Sequence, residues 1–287
     1  MRKLQYILVI LIVACVGCGK DNHGMLTNRG KTICGSWHVG TAIVMEDIIN
    51  PAFHFNAWLN GNEHVRRAIE DNYFPDLRIR QDGESIYGVY HNAQLLLRIN
   101  TQGTNIDAEG AQWILTCFYS GSEFSYYGHP YVLPDFTDVK GAKEMTISYL
   151  GNYQWGIEAH EDSFDGVNIN WMLAAATAST PLDLYSDKFI LTGDGSYRFS
   201  SLSRWHDEGE QDPTPITMTY TIDHPMYQNF NDILQWSSGQ ISITASMQDK
   251  EDVNVSATVL APKHIEITYK GITERWEMDF DEYYYSE

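Results

Sequence analysis

The chain has 287 residues, a formal charge of −19 and 43% hydrophobic residues. That length suits one large or two modest domains, the hydrophobic share is too high for a disordered chain, and the acidity repels phosphate backbones, which excludes nucleic acid as a partner. The 18 Tyr and 8 Trp suit strands, whose pleated surface accommodates rings, and they suit sugar binding, where rings stack on pyranose faces.

In chain order, Arg2 and Lys3 precede an apolar run over residues 7–14, and Cys15 and Cys18 follow at once. A positive start, a short apolar stretch and a small-residue cleavage zone describe an export signal. The run is shorter than the ~20 residues that cross a bilayer. Ile12-Val13-Ala14-Cys15 and Cys15-Val16-Gly17-Cys18 both resemble the lipobox of bacterial lipoproteins, where signal peptidase II cuts before a cysteine that carries acyl chains. The resemblance implies lipidation at Cys18, with Cys15 as the alternative, because Gly19-Lys20-Asp21-Asn22 reads as the polar tether that follows an acylated cysteine. It further implies a signal peptide over 1–17, a flexible tether over 18–30, and the membrane as a partner through acyl chains. Each buried methylene contributes ~0.8 kcal/mol, and two or more chains hold stably. Lys20-Asp21 is similar to the charged signal of surface-exposed lipoproteins of glycan-harvesting gut bacteria, so the expected location is the cell envelope, at the outer membrane.

Apolar and β-branched residues over 31–45 predict the first strand or two. Gly35-Ser36-Trp37 resembles the Gly-x-Trp near the start of lipocalin-like barrels, although no second signature accompanies it. Asn60 and Glu63 form a capping pair for a helix with Val65, Ala68, Ile69 and Tyr73 on one face, stopped by Pro75. Beyond Pro75 the period becomes two. Leu77 and Ile79 alternate with Arg78 and Arg80, Asp82-Gly83 turns, and strands follow over 86–90 and 94–100. Residues 111–119 are apolar on both faces, which places that strand centrally in its sheet. Met145, Ile147 and Tyr149 alternate, Gly151-Asn152 turns, and Tyr153, Trp155 and Ile157 return.

The charged stretch 159–166 is the expected boundary between a β domain over 31–160 and another over 165–287. In the second, Val167, Ile169 and Trp171 form a strand, and Gly193-Asp194-Gly195 is expected to turn a hairpin. A strand over 216–222 precedes a short helix opened by Pro225, with Met226, Phe230, Ile233 and Leu234 on one side. Strands over 241–247, 253–260, 264–269 and 272–280 close the chain. Short, regularly spaced strands with turn residues between them predict a mainly β protein: an antiparallel sandwich or barrel-like sheets with two short helices.

No nucleophile elbow, phosphate-cradling glycine loop, zinc helix or twelve-residue calcium loop is present in the sequence. Paired carboxylates leave no sequence trace, so a hydrolase stays as the third reading. Two loops stand out. Phe124, Tyr126, Tyr127, His129 and Tyr131 form an aromatic stretch that would stack on a sugar if the rings are exposed, and that would fold onto the sheet if they are not. Trp205, with Asp207, Glu208, Glu210 and Asp212 close behind it, offers oxygen ligands for calcium, against the alternative of a solvated acidic loop. An oxidising compartment permits a Cys34–Cys117 disulfide, and a buried free thiol suits the apolar surroundings of Cys117 equally. The reading that follows is a lipid-anchored binder of glycans or proteins without catalysis. A structural or adhesin-type surface subunit is the alternative.

Overall fold

A computed structural model describes residues 30, 33–35, 37–38, 40–41, 44–73, 77–91, 94–118, 143–160, 167–175, 188–199, 216–229, 236–247, 251–261 and 264–277. It is mainly β: thirteen antiparallel strands in one sheet that does not close into a barrel. The N-terminal part is helical instead. All described residues from 30 to 44 are helical. A π-helical turn (Met45–Ile49), helix α1 (Asn50–Asn60) and helix α2 (Glu63–Tyr73) follow. The π-turn lies directly before Pro51, whose ring cannot sit beneath a regular α-helical carbonyl.

The strands expected over 31–45 therefore do not form, and Gly35 and Trp37 of the lipocalin-like tripeptide are helical residues. The physical reason is periodicity. Cys34, Trp37, Thr41, Met45, Ile48, Ala52 and Phe55 recur every three or four residues, and all are buried. Burial of that stripe outweighs the strand preference of the branched residues beside it.

The strands are β1 (Leu77–Gln81), β2 (Ile86–His91), β3 (Gln94–Asn100) and β4 (Gln112–Cys117). Next come β5 (Lys143–Gly151), β6 (Gln154–Ala159), β7 (Val167–Ala175), β8 (Lys188–Phe199) and β9 (Ile216–Asn229). The last are β10 (Trp236–Met247), β11 (Val253–Ala261), β12 (His264–Tyr269) and β13 (Ile272–Glu277). Each pairs with its sequence neighbours, so the sheet is a plain meander. The expected domain boundary falls between β6 and β7. These two pair over six residues, from Gln154↔Ala174 to Ala159↔Ile169, and residues from both expected halves share one core.

One face of the sheet is apolar from β4 to β12, and Glu274 follows Ile267 on that face in β13. A single register row runs Trp113, Ile147, Ile157, Trp171, Gly193, Ile222, Ile241, Ala257 and Ile267. The helical run lies across this face. Gly30 sits beneath Ile267 and Tyr269, and Gly35 beneath Trp276. Trp37 meets Tyr220 at 5.8 Å and Trp236 at 6.0 Å between ring centroids. Further on, Phe53 meets Trp155 at 5.1 Å, and Phe55 meets Tyr87 at 4.9 Å and Trp113 at 5.9 Å.

Three local expectations are corrected. Gly193-Asp194-Gly195 turns nothing, because β8 runs straight through it. Gly193 instead lets the backbone of Asn170 and Trp171 come close, and Gly195 leaves room for the Tyr220 ring on the neighbouring strand. A Cβ on Gly195 would fall 2.6 Å from the Tyr220 hydroxyl. Pro225 opens no helix but lies inside β9, at an irregularity between Leu191↔Met226 and Gly193↔Ile222. A proline is tolerated at such a bulge because its missing N–H removes no ladder bond. The cap of α2 is Asn62, whose Oδ1 accepts from Val65 N at 3.1 Å, while Asn60 Nδ2 donates back to Asn56 O at 3.0 Å. Of the helix face expected there, Ile69 is buried and Val65 is exposed.

Candidate functional site

Among the described residues, large side chains including Trp37, Trp113, Trp155, Trp171 and Phe55 pack the interior. A buried polar string crosses it: Trp171 Nε1 donates to the Tyr220 hydroxyl at 2.9 Å, Tyr220 to the Tyr197 hydroxyl at 3.3 Å, and Tyr197 lies 3.2 Å from Thr41 Oγ1. Burial holds both tyrosine pKa values above the ordinary range, so the phenols stay neutral and act as donors. Trp236 Nε1 donates to His38 Nδ1 at 2.7 Å. That bond fixes the neutral tautomer of His38 with its proton on Nε2. His54 is also buried, and desolvation lowers its pKa to about 3. These groups pin the helix to the sheet, and the phenols are held away from any ionised, nucleophilic form.

At one end of the sheet, the loop between β3 and β4 closes over the core. Trp113 Nε1 donates to Thr104 O at 3.0 Å and Trp155 Nε1 to Ile106 O at 2.9 Å. Ile106 N donates to Asn56 Oδ1 at 3.2 Å, which ties the loop to α1. Its backbone groups are thereby satisfied by two indoles and an amide, as a covered loop requires.

Surfaces that could meet a partner lie outside this core. Where β11, β12 and β13 end, Leu260, Ala261, His264, Ile265, Arg275, Trp276 and Glu277 line a groove of 440 Å³. His264 and Glu277 are direct cross-strand neighbours, and Arg275 pairs with Glu266 at 3.6 Å. A half-buried indole beside imidazole, guanidinium and carboxylate groups combines an apolar surface with hydrogen-bonding partners.

The second surface is the outer face of β1, β2 and β3. Arg80, Gly88 and Arg98 stand in one register row, with Arg78 opposite Tyr90 in the next but one. The Arg80 guanidinium lies 4.5 Å from the Tyr90 ring and 3.7 Å from the Asp82 carboxylate. The Tyr90 hydroxyl donates to that carboxylate, and the bond raises the phenol's pKa. Gly88 makes the arrangement possible, since a Cβ there would fall 2.4 Å from the Tyr90 ring. Arg98 stacks on Phe118 at 4.9 Å.

The residues singled out from sequence fare unevenly. Cys15, Cys18, Tyr126, Tyr127, Tyr131, Trp205, Asp207, Glu208, Glu210 and Asp212 lie outside the described residues. Cys34 and Cys117 are both buried, and neither is in a disulfide. Burial pushes the Cys34 thiol up to about 12, which keeps it protonated and unreactive. Among the described residues no three His, Cys, Asp or Glu side chains meet as a metal site, and no helix is long and apolar enough to cross a membrane. The arginine face and the Trp276 groove were missed as sites. Two arginines alternating with Leu77 and Ile79 in a chain of charge −19 were the available signal. No family model, no curated protein and no solved structure matches this chain.

Proposed function

We propose that this chain is a lipid-anchored protein of the cell envelope that binds a glycan or protein ligand without catalysis. The observation that supports it most is the filled interior. Trp37, Phe53 and Phe55 occupy the sheet face where an open barrel would hold a small ligand. Contact with a partner then belongs to the loops and the outer surface, which is how a displayed binder works. The lipobox-like cysteines and the short tether supply the anchor. Among the described residues β1 and β13 each pair on one side only, and such open edges favour the second reading, a structural or adhesin-type subunit.

Two measurements test the reading. Metabolic labelling with an alkyne fatty acid should mark the wild type and fail on the Cys15→Ser plus Cys18→Ser variant; unmarked wild type removes the anchor. A glycan array probed with the soluble chain should show binding that Tyr126→Ala with Tyr127→Ala abolishes. Binding unchanged in that variant removes the aromatic platform, and an array without signal leaves the protein-ligand form to be tested by the assembly experiment below.

A further inference from the structure

Among the described residues β1 pairs with β2 alone, so its other edge carries unpaired N–H and C=O groups. Its two sides differ in chemistry. Leu77 is buried and Ile79 half-buried on the inner face, while Arg78 and Arg80 are exposed on the outer face. Arg98, two strands away on the same face, adds a third guanidinium, and among the described residues no carboxylate pairs with Arg78 or Arg98. In a chain of charge −19 this face gathers three guanidinium groups, with the Asp82 carboxylate against Arg80. It fits an extended segment that is apolar on one side and acidic on the other.

The chain carries such a segment at its other end. In β13, Trp276 is half-buried on the inner side and Glu277 is exposed on the outer side. From there the sequence reads Trp276-Glu277-Met278-Asp279-Phe280-Asp281, with apolar and acidic residues alternating in the same phase. Residues 278–287 lie outside the described residues, so the match beyond Glu277 is one of sequence. We propose that residues 276–281 of a second copy add to the free edge of β1, placing Glu277, Asp279 and Asp281 against Arg78 and Arg80. Main-chain bonds hold the added strand, and the charges set its register and face.

The chain's own terminus is poorly placed for the same role. Gly35 lies at Trp276 and Phe55 at Tyr87 of β2. The helical path between them rises about 30 Å. Residues 278–281, which complete the alternating segment, span at most about 14 Å when fully extended, so they fall short of their own β1. A second copy has no such limit. Strands β1 and β13 run in the same direction, since every step between them is antiparallel and their numbers are both odd. A copy laid alongside without turning over therefore keeps arginines and acids on one face. That contact is heterologous and continues from copy to copy.

Sedimentation velocity on the chain from residue 19 onward tests it with two charge reversals. The first variant is Arg78→Glu with Arg80→Glu; the second is Glu277→Arg with Asp279→Arg and Asp281→Arg. The wild type should self-associate, less so at high salt. Each variant alone should be weakened by roughly a hundredfold, because like charges then face each other. Mixing the two variants should restore association with the two kinds of copy alternating, since each variant's β1 edge then meets a segment of opposite charge on the other. Recovery in the mixture also shows that both variants fold. A wild type that stays monomeric at high micromolar concentration, variants that associate like wild type, or a mixture that stays monomeric each overturns the proposal.

Discussion

His54 is a buried neutral imidazole whose pKa is lowered to about 3 by desolvation. The unfolded chain takes up that proton near pH 6.5, and the folded chain does not until far lower. Stability from this group is therefore complete above pH 6.5 and declines as pH falls toward 3. Between pH 7 and pH 5 the loss is about 2 kcal/mol. Urea denaturation at the two pH values should show a steeper decline for wild type than for His54→Asn; equal declines would refute the assignment. Gly193 makes a second point at this scale. Its φ is +120°, and a Cβ there would fall 2.1 Å from Asn170 O. Gly193→Ala should cost roughly 3 kcal/mol through strain and overlap, read as a lower urea midpoint. In sequence, Gly193-Asp194-Gly195 looks like a turn because small flexible residues usually make one. What it lacks is any sign of Trp171 and Tyr220, the neighbours that need the space, which arrive from other parts of the chain.

Elements were legible where a strand has one wet face. The phase of Leu77/Ile79, Met145/Ile147 and Trp155/Ile157 was read correctly, because alternation survives whatever the strand pairs with. Helix α2 was recognised, although its cap is two residues later than expected. The helical run before α1 was read as strands because Ile33, Val39, Ile43 and Val44 favour strands locally. The stripe from Cys34 to Phe55 was the competing signal, and its period of three to four was overlooked. The aromatic and acidic loops lie within 119–142 and 200–215, outside the described residues. The loop from Thr101 to Ala111 yields a prediction of its own. Asn56→Ala removes the acceptor for Ile106 N and should cost about 1 kcal/mol. Hydrogen exchange should rise in that loop while β8 and β9 stay protected; uniform change across the sheet would contradict a local tether.

For the whole molecule, the helical run is the partner of the sheet's apolar face from β2 to β13. A fragment of residues 63–287 should therefore keep strand signal in far-UV circular dichroism, lose its near-UV signal and bind ANS, as a compact state without fixed packing does. A fragment with a sharp, cooperative unfolding transition would show that the sheet needs no helix. A two-domain division looks natural in sequence because strands, a short helix and strands seem to recur in each half; yet residues 225–229 of the expected second helix are strand, 230–235 lie outside the described residues, and the ladder runs unbroken from β1 to β13.

His38 bonds to Trp236 across 198 positions, and Thr41 reaches Tyr197 across 156. A ribosome delivers this polypeptide from front to back, so the centrepiece emerges first and its leading end waits for strands much later in the chain. Until β9 and β10 arrive, Trp37 lacks the rings it packs against. Such remote closure slows folding, and newborn chains would depend on holding factors that shield the apolar leading segment until synthesis is complete.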